Sequence, residues 1–346
     1  MNTKIFIVTF SLFLCCSLLL TACADKDAGV TFPETENLTV SKVYDSDIYM
    51  RYPYRVRLSD SSLYVMDLHA TEHYIHKFTC GKSITHKESY GKRGEGPDEL
   101  LDAENIRMDS KDRLWTLDAN KRNLVLWDSC GLVKKELSQQ LLRPLDFALI
   151  NDSTFIIPDY SGENRICIVN HNGEIDEKLF SIPYKKNENT SEAALAQAWR
   201  SFIDYNKKTG VLAIVTQLGQ VIEIYDLKKK SSIALINAEK GAPSFGERQS
   251  NAIPDGIMGY SDIHVSDNAI YTLFWGHSFK DIQQEKIKHQ GGNRIQVFDT
   301  KGNPLKEYIL DRYITGFCID EVNNRIIALD VNSDQPVIEY QTEMSF

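Results

Sequence analysis

The stretch Leu114-Trp115-Thr116-Leu117-Asp118, followed by Leu124-Val125-Leu126-Trp127-Asp128 and then by Gly131, decides the fold. Each half is a short apolar run of strand-forming residues closed by an aspartate. The same beat recurs along the chain. Its first member begins at Leu63, Leu114, Phe155, Leu212, Ile270 and Ile326, and its second at Tyr74, Leu124, Ile166, Val221, Ile295 and Val337. A short apolar segment precedes each pair, at residues 56–58, 106–108, 147–149, 202–204, 263–265 and 317–319. A less regular fourth strand follows most pairs, as at 132–137 and 304–309.

Four strands per unit in six units predict an all-β, six-bladed propeller with four-stranded blades. A closed barrel or a sandwich would need more even spacing and no four-strand unit. The last unit supplies only three strands, and residues 37–44 form an unassigned strand at the start. That segment is expected to join the last blade as its outer strand and close the ring, which removes an exposed edge. Helical periodicity is confined to an alanine-rich stretch at 191–200.

The turns explain the aspartates. Asp128 to Gly131, Asn170 to Gly173 and Asp299 to Gly302 place Asp or Asn first and Gly fourth. Such side chains cap their own turn, and glycine accepts a positive φ. Asp67, Asp118, Asp159 and Asp330 are read as structural for the same reason.

Residues ahead of the repeat have another purpose. Lys4 precedes a nearly unbroken apolar run from Ile5 to Leu20, the length of a signal h-region rather than a membrane span. Leu20-Thr21-Ala22-Cys23 then resembles the bacterial lipobox, whose cysteine is acylated and becomes the new N-terminus. The expected organisation is a signal peptide over 1–22, a lipidated tether over 23–36 and the propeller over 37–346. Ala24 after the cysteine favours the outer membrane, on its periplasmic or cell-surface side.

Removing Lys4 takes the formal charge from -9 to -10. An acidic protein lacks the basic footprint that nucleic acid demands. Cys167 and Cys318 sit inside apolar strands and read as buried thiols. Cys80 and Cys130 occupy equivalent turns in successive repeats, which leaves a bridge between them open.

Two stretches carry a family resemblance. One runs Arg200-Ser201-Phe202-Ile203-Asp204 through Gly219-Gln220-Val221-Ile222-Glu223-Ile224-Tyr225-Asp226-Leu227. The other runs Ile270-Tyr271-Thr272-Leu273-Phe274, then Ile295-Gln296-Val297-Phe298-Asp299 through Gly302-Asn303-Pro304-Leu305, to Leu310-Asp311-Arg312. They resemble the TolB-like six-bladed propeller lipoproteins of Bacteroidota, over most of residues 50–342. Gly91-Lys92-Arg93-Gly94-Glu95-Gly96-Pro97-Asp98-Glu99-Leu100 is similar to the glycine-rich crossover shared with NHL-type propellers, with Asp98 and Leu100 departing from the common form. The resemblance implies a propeller on a lipid anchor and brings no catalytic residues.

Motifs for chemistry are sparse. Gly91 to Pro97 lacks the G-K-[ST] ending of a phosphate loop and reads as a tight crossover, with Arg93 and Glu95 at its tip. His69, His73 and His76 leave one strand and enter another, so they do not converge on a metal. NHL-type propellers include an amidating lyase with metal ligands in the channel, but here only His264 lies on an innermost segment. No cofactor or metal is expected. The beat fails in two places. A long insertion between Trp275 and Asn293 carries Trp275, His277 and Phe279, and the segment before the fourth unit ends in Trp199 and Arg200. Loops on a rigid scaffold carry function, so Trp275, His277, Phe279, Arg93, Glu95, Trp199 and Arg200 form the candidate binding rim. For Trp199 and Arg200, alanine-rich packing over one face is the favoured alternative. The expected function is a non-catalytic binding or scaffolding module for a protein, peptide or glycan. The alternative is a lyase or hydrolase with its site at one channel mouth.

Overall fold

The structure is a computed structural model that describes residues 29–59, 62–81, 83–128, 131–184 and 190–344. Six antiparallel sheets follow one another around a ring. Their innermost strands are Pro53–Ser59, Ala103–Met108, Ala148–Asn151, Ser201–Tyr205, Tyr260–Val265 and Phe317–Asp320. From each, the chain steps outward strand by strand, then crosses to the next blade. All blade-to-blade crossovers therefore share one face with the turns joining second to third strands. We call this the crossover face.

The apolar runs form these strands because a blade is covered on both sides. Side chains alternate between the two faces of a strand, and each face packs against a neighbouring blade. Leu114–Asp118, Val211–Thr216 and Ala269–Phe274 are accordingly buried at every position. Six apolar layers result, one at each blade boundary. A seventh, smaller cluster of Ile182, Leu195, Ala198, Trp199 and Val221 lies beneath the helix Glu192–Ala198.

The turn chemistry follows the sequence. Asn170 Oδ1 accepts the N–H of Asn172, and Asp299 Oδ1 accepts those of Lys301 and Asn303. Gly173 and Gly302 take φ of 84° and 92°. Asp67 and Asp118 go further. Asp67 also accepts the N–H groups of Arg51 and Tyr52, and Asp118 that of Leu101, so each ties its turn to the incoming crossover. Blades 4 and 5 have Thr216 and Phe274 at this position, and both blades carry excursions on the crossover face.

The ring closes through the start of the chain. Lys42–Val43 pairs antiparallel with Val337–Gln341 as the outer strand of blade 6. The expected strand over 37–44 is divided, however. Thr35–Leu38 lies parallel to Pro304–Ile314 as a fifth strand on blade 5. The tether assignment also needs correction. Val30 and Phe32 pack against the layer between blades 4 and 5, and the Phe32 ring meets Phe298 edge-on at 5.3 Å. Apolar side chains at alternate positions give 29–36 a surface to bury, so these residues belong to the propeller. The signal peptide, Cys23 and Cys130 lie outside the described residues. Cys167 and Cys318 are buried free thiols, with burial pushing both up to about 12.

Candidate functional site

The innermost strands fill the channel with an ion-pair network. Arg107 of blade 2 bonds both carboxylate oxygens of Asp146 in blade 3, at 3.1 and 3.2 Å, and reaches Asp204 of blade 4 at 3.2 Å. Its remaining N–H groups donate to the carbonyls of Phe147 and Ile203. Arg55 and Arg57 of blade 1 flank Asp262 of blade 5 at 3.7 and 3.4 Å. Each aspartate also accepts a backbone N–H from the following blade: Asp146 from Ile203, Asp204 from Val265, and Asp262 from Phe317. Burial pushes the Asp262 carboxyl up, but Arg55, Arg57 and Arg107 outweigh it and hold it below the usual range. These groups lock blades together.

The crossover face is different. Three innermost strands each carry an extra residue at that end. Pro53 pairs with Asp67 but Arg55 with Met66, leaving Tyr54 outside the ladder. The same slip leaves Glu104 in blade 2 and Ser261 in blade 5. A bulge re-aims its side chain. Burial, with Asp102 nearby, raises the Glu104 carboxyl to about 7, against the opposing pull of Arg143, Arg55 and Arg200. Burial likewise pushes Tyr54 up to about 12. Below them Arg55 is fully buried, its guanidinium 3.8 Å above the Tyr54 ring, and its Nε and Nη2 have no hydrogen-bond partner.

Beside this mouth stands a platform. Ser191 caps the helix Glu192–Ala198 by accepting the N–H of Ala194. A hairpin of Phe245–Arg248 and Asn251–Pro254, within the crossover from blade 4 to blade 5, packs against it. Gln197 joins the two through Asn251 and the N–H of Ala252, and Glu247 accepts the N–H of Ser191. Two clefts open here. One, of about 400 Å³, is lined by Leu142, Arg143, Tyr160 and Arg200. The other, of about 460 Å³, is lined by Arg200, Gln217, Pro254, Met258 and Phe279. Arg200 is the hinge between them. Its guanidinium lies 5.7 Å from the Tyr160 ring, and its Nε is buried without a partner.

Several sequence-predicted residues gather on this face. Phe279 and Arg200 share a cleft. Trp275 Nε1 donates to Ser261 Oγ at 3.0 Å, which ties the blade-5 excursion to its innermost strand. The excursion then forms the helix Phe279–Gln283, capped by Ser278. His277 is half-buried, 6.0 Å from the Tyr313 ring, and burial lowers its pKa. Arg93 and Glu95 are exposed on the crossover from blade 1 to blade 2. Arg93 donates to the Ala70 carbonyl, and Lys121 holds the loop by three backbone carbonyls. They line neither cleft at Arg200.

Trp199 is a correction. It is fully buried, and its carbonyl accepts from Arg165, which pairs with Glu223 at 2.8 Å in the interior. An aromatic closing an alanine-rich helix has an apolar layer to fill, so Trp199 is core and unavailable to a surface ligand. His264 lies at the opposite mouth, 4.0 Å from Asp204. Among the described residues no group of three or more His, Cys, Asp or Glu is placed to hold a metal ion. Tyr54, Glu104, Tyr160 and the 245–254 hairpin went unrecognised in the sequence. For the hairpin, a signal lies in the length of the interval between blades 4 and 5.

Comparison with known proteins supports the architecture. No curated protein matches the chain. An exported protein of Bacteroides fragilis is similar in structure with a TM-score of 0.55 at 12% identity, over 89% of this chain and 98% of that one. An auxiliary nutrient binding protein of Bacteroides ovatus is similar with a TM-score of 0.54 at 9% identity, over 86% of this chain and 70% of that one. At such identities these likenesses show the fold alone. A family model for TolB-like six-blade propellers matches residues 31–322, and the chain belongs to that family.

Proposed function

We propose that this propeller is an envelope binding module, held to the outer membrane by acyl chains on Cys23, that takes its ligand on the crossover face around Arg200. The observation that carries the reading is the position of Arg200. One guanidinium serves two adjoining clefts, stacks near Tyr160 and keeps a buried N–H unsatisfied. A guanidinium lining two clefts offers a ligand carboxylate a charge-assisted hydrogen bond. Met258 and Phe279, which line one of these clefts, add apolar contact. Of a protein, peptide or glycan, this chemistry best suits a peptide segment with an acidic residue beside an apolar one. Binders selected from a peptide display library against the full chain should carry that pattern. They should lose at least about tenfold in affinity with Arg200→Ala, since a charge-assisted hydrogen bond contributes about 1.5–3 kcal/mol. Binders indifferent to Arg200→Ala and Phe279→Ala would place the ligand elsewhere.

Anchoring has its own support in the apolar run ending at Leu20-Thr21-Ala22-Cys23. More than one acyl chain is needed for stable attachment. Mass spectrometry of the N-terminal peptide, with Cys23→Ser as the control, tests it.

A second reading rests on Glu104. A carboxyl with a pKa of about 7 at a channel mouth, beside Tyr54, suits general acid–base chemistry of a lyase or hydrolase. Its test is a substrate turned over by the wild type and not by Glu104→Gln.

A further inference from the structure

The start of the described chain lies on the crossover face. A Cβ on Gly29 would sit 3.1 Å from the side-chain oxygen of Gln220. The Gln220 N–H donates to the carbonyl of Gly241, in the crossover from blade 4 to blade 5, and that of Gly219 to the carbonyl of Ile257. Gly29 and Val30 also line a cavity of about 260 Å³ with Gly241 and Gly276, the latter on the blade-5 excursion. From Val30 onward the chain is bound down, by Phe32 on Phe298 and by the parallel strand Thr35–Leu38. The point of departure is therefore set by packing.

Cys23 is six residues before Gly29. An extended chain covers at most about 3.3–3.6 Å per residue, so the two are no more than about 20 Å apart. A lipid on Cys23 holds this side of the ring near the bilayer.

Exposed apolar side chains have the same bias. Tyr49, Leu101, Leu142, Ile253 and Ile282 stand on five separate loops of the crossover face. Tyr49 is 79% exposed, Leu142 56% and Ile253 50%. On the turns of the opposite face Val322, at 92%, is the one such side chain among the described residues. The remaining exposed ones, Val43, Val133, Ile233 and Leu235, lie on outer strands. Singly exposed apolar residues are ordinary. Their gathering on the face from which the anchor departs is what needs a cause.

We infer that the crossover face is turned toward the bilayer, with the tips at Tyr49, Leu142 and Ile253 resting in its interfacial zone. The inference rests on the acylation of Cys23 in the proposed function. It also means that a ligand reaching Arg200 is met at the membrane surface. Charges near the tips are mixed. Lys280 and Lys286 accompany Asp281, which Lys286 pairs, and Arg248 stands beside Glu247. The orientation therefore needs no anionic lipid.

The test uses the full acylated chain in phosphatidylcholine vesicles, with a fluorescent non-natural amino acid at position 142, 253 or 322. Brominated phosphatidylcholine quenches probes that reach the acyl region. Positions 142 and 253 should be quenched several-fold more than 322. Equal quenching at all three, or stronger quenching at 322, overturns the inference. Absence of acyl mass on Cys23 would instead remove the anchor reading. The orientation is then read on a Cys23→Ser chain starting at residue 23, tethered by an added histidine tag to nickel-chelating lipid. The same two outcomes decide it.

Discussion

Asp146 in blade 3 accepts the backbone N–H of Ile203 in blade 4 at 2.9 Å, so a side chain in the channel completes the hydrogen bonding of the next blade's innermost strand. The device repeats at Asp204 with Val265 and at Asp262 with Phe317. The ring is thus braced along its inner rim by carboxylates that reach forward, with Arg107 and Arg57 neutralising them.

Removing Asp146 takes from buried Arg107 its bidentate partner and leaves it Asp204 as its one carboxylate. Asp146→Ala is expected to lower the unfolding free energy by about 3–5 kcal/mol, the usual cost of breaking a buried ion pair. Urea denaturation measures it. A loss below about 1 kcal/mol would mean that the network carries little of the ring's stability.

Glu104 makes stability depend on pH. Its carboxyl is raised from 4.5 to about 7, chiefly by burial, so the folded chain binds more protons than the unfolded one between those values. Stability from this group is full below the unfolded value and is lost as pH climbs through the folded one. With about 1.4 kcal/mol per pKa unit, the loss is on the order of 3–4 kcal/mol by pH 8. Glu104→Gln should flatten the urea midpoint between pH 5 and pH 8. Parallel profiles for the two proteins would show that the carboxyl is not held protonated.

Trp199 and Trp275 separate core from rim. Trp199→Ala empties a filled layer and is expected to cost about 3–5 kcal/mol. Trp275 is partly exposed and loses one hydrogen bond to Ser261, so Trp275→Ala should cost no more than about 1–2 kcal/mol. Thermal melts of the pair give the order directly, and the reverse order contradicts the assignment.

Phe32 distinguishes a packed strap from a loose tether. Its edge-on contact with Phe298 and partial burial predict a loss of about 1–2 kcal/mol for Phe32→Ala. An unchanged denaturation midpoint would return residues 29–36 to the tether.

The beat of strands was legible because burial on both sides of a blade forces short apolar runs, and an aspartate ends many of them. Ile106–Met108 and Phe317–Ile319 both fall on innermost strands. The crossover face was less legible, for physical reasons. A bulge is a property of two strands in register, so nothing in Ala103-Glu104-Asn105 announces that Glu104 is the extra residue. The hairpin from Phe245 to Pro254 turns through Gln249 and Ser250, both at positive φ without a glycine, and its strands lack β-branched runs. Trp199 ends an alanine-rich helix, and the sequence does not say which way the ring points. Thr216 and Phe274, standing where other blades have aspartate, did mark the two blades whose loops depart from the pattern.

The pairing of Lys42–Val43 with Ile338 and Glu339 imposes an order in time. Lys42–Val43, ahead of all six innermost strands, must wait for Val337–Gln341, which follows them all. Four of the six inter-blade layers are complete before Val337 is added, since Ile338 and Tyr340 belong to the layer between blades 5 and 6 and Val337 to that between blades 6 and 1, and the ring stays a horseshoe until then. In that interval blade 6 and blade 1 face each other as open edges, the form most prone to pair with another chain. Docking of Lys42–Val43 against Val337–Gln341, rather than the folding of any one blade, is the step that ends this exposure. A chain truncated before residue 337 would leave a stable-looking but adhesive product.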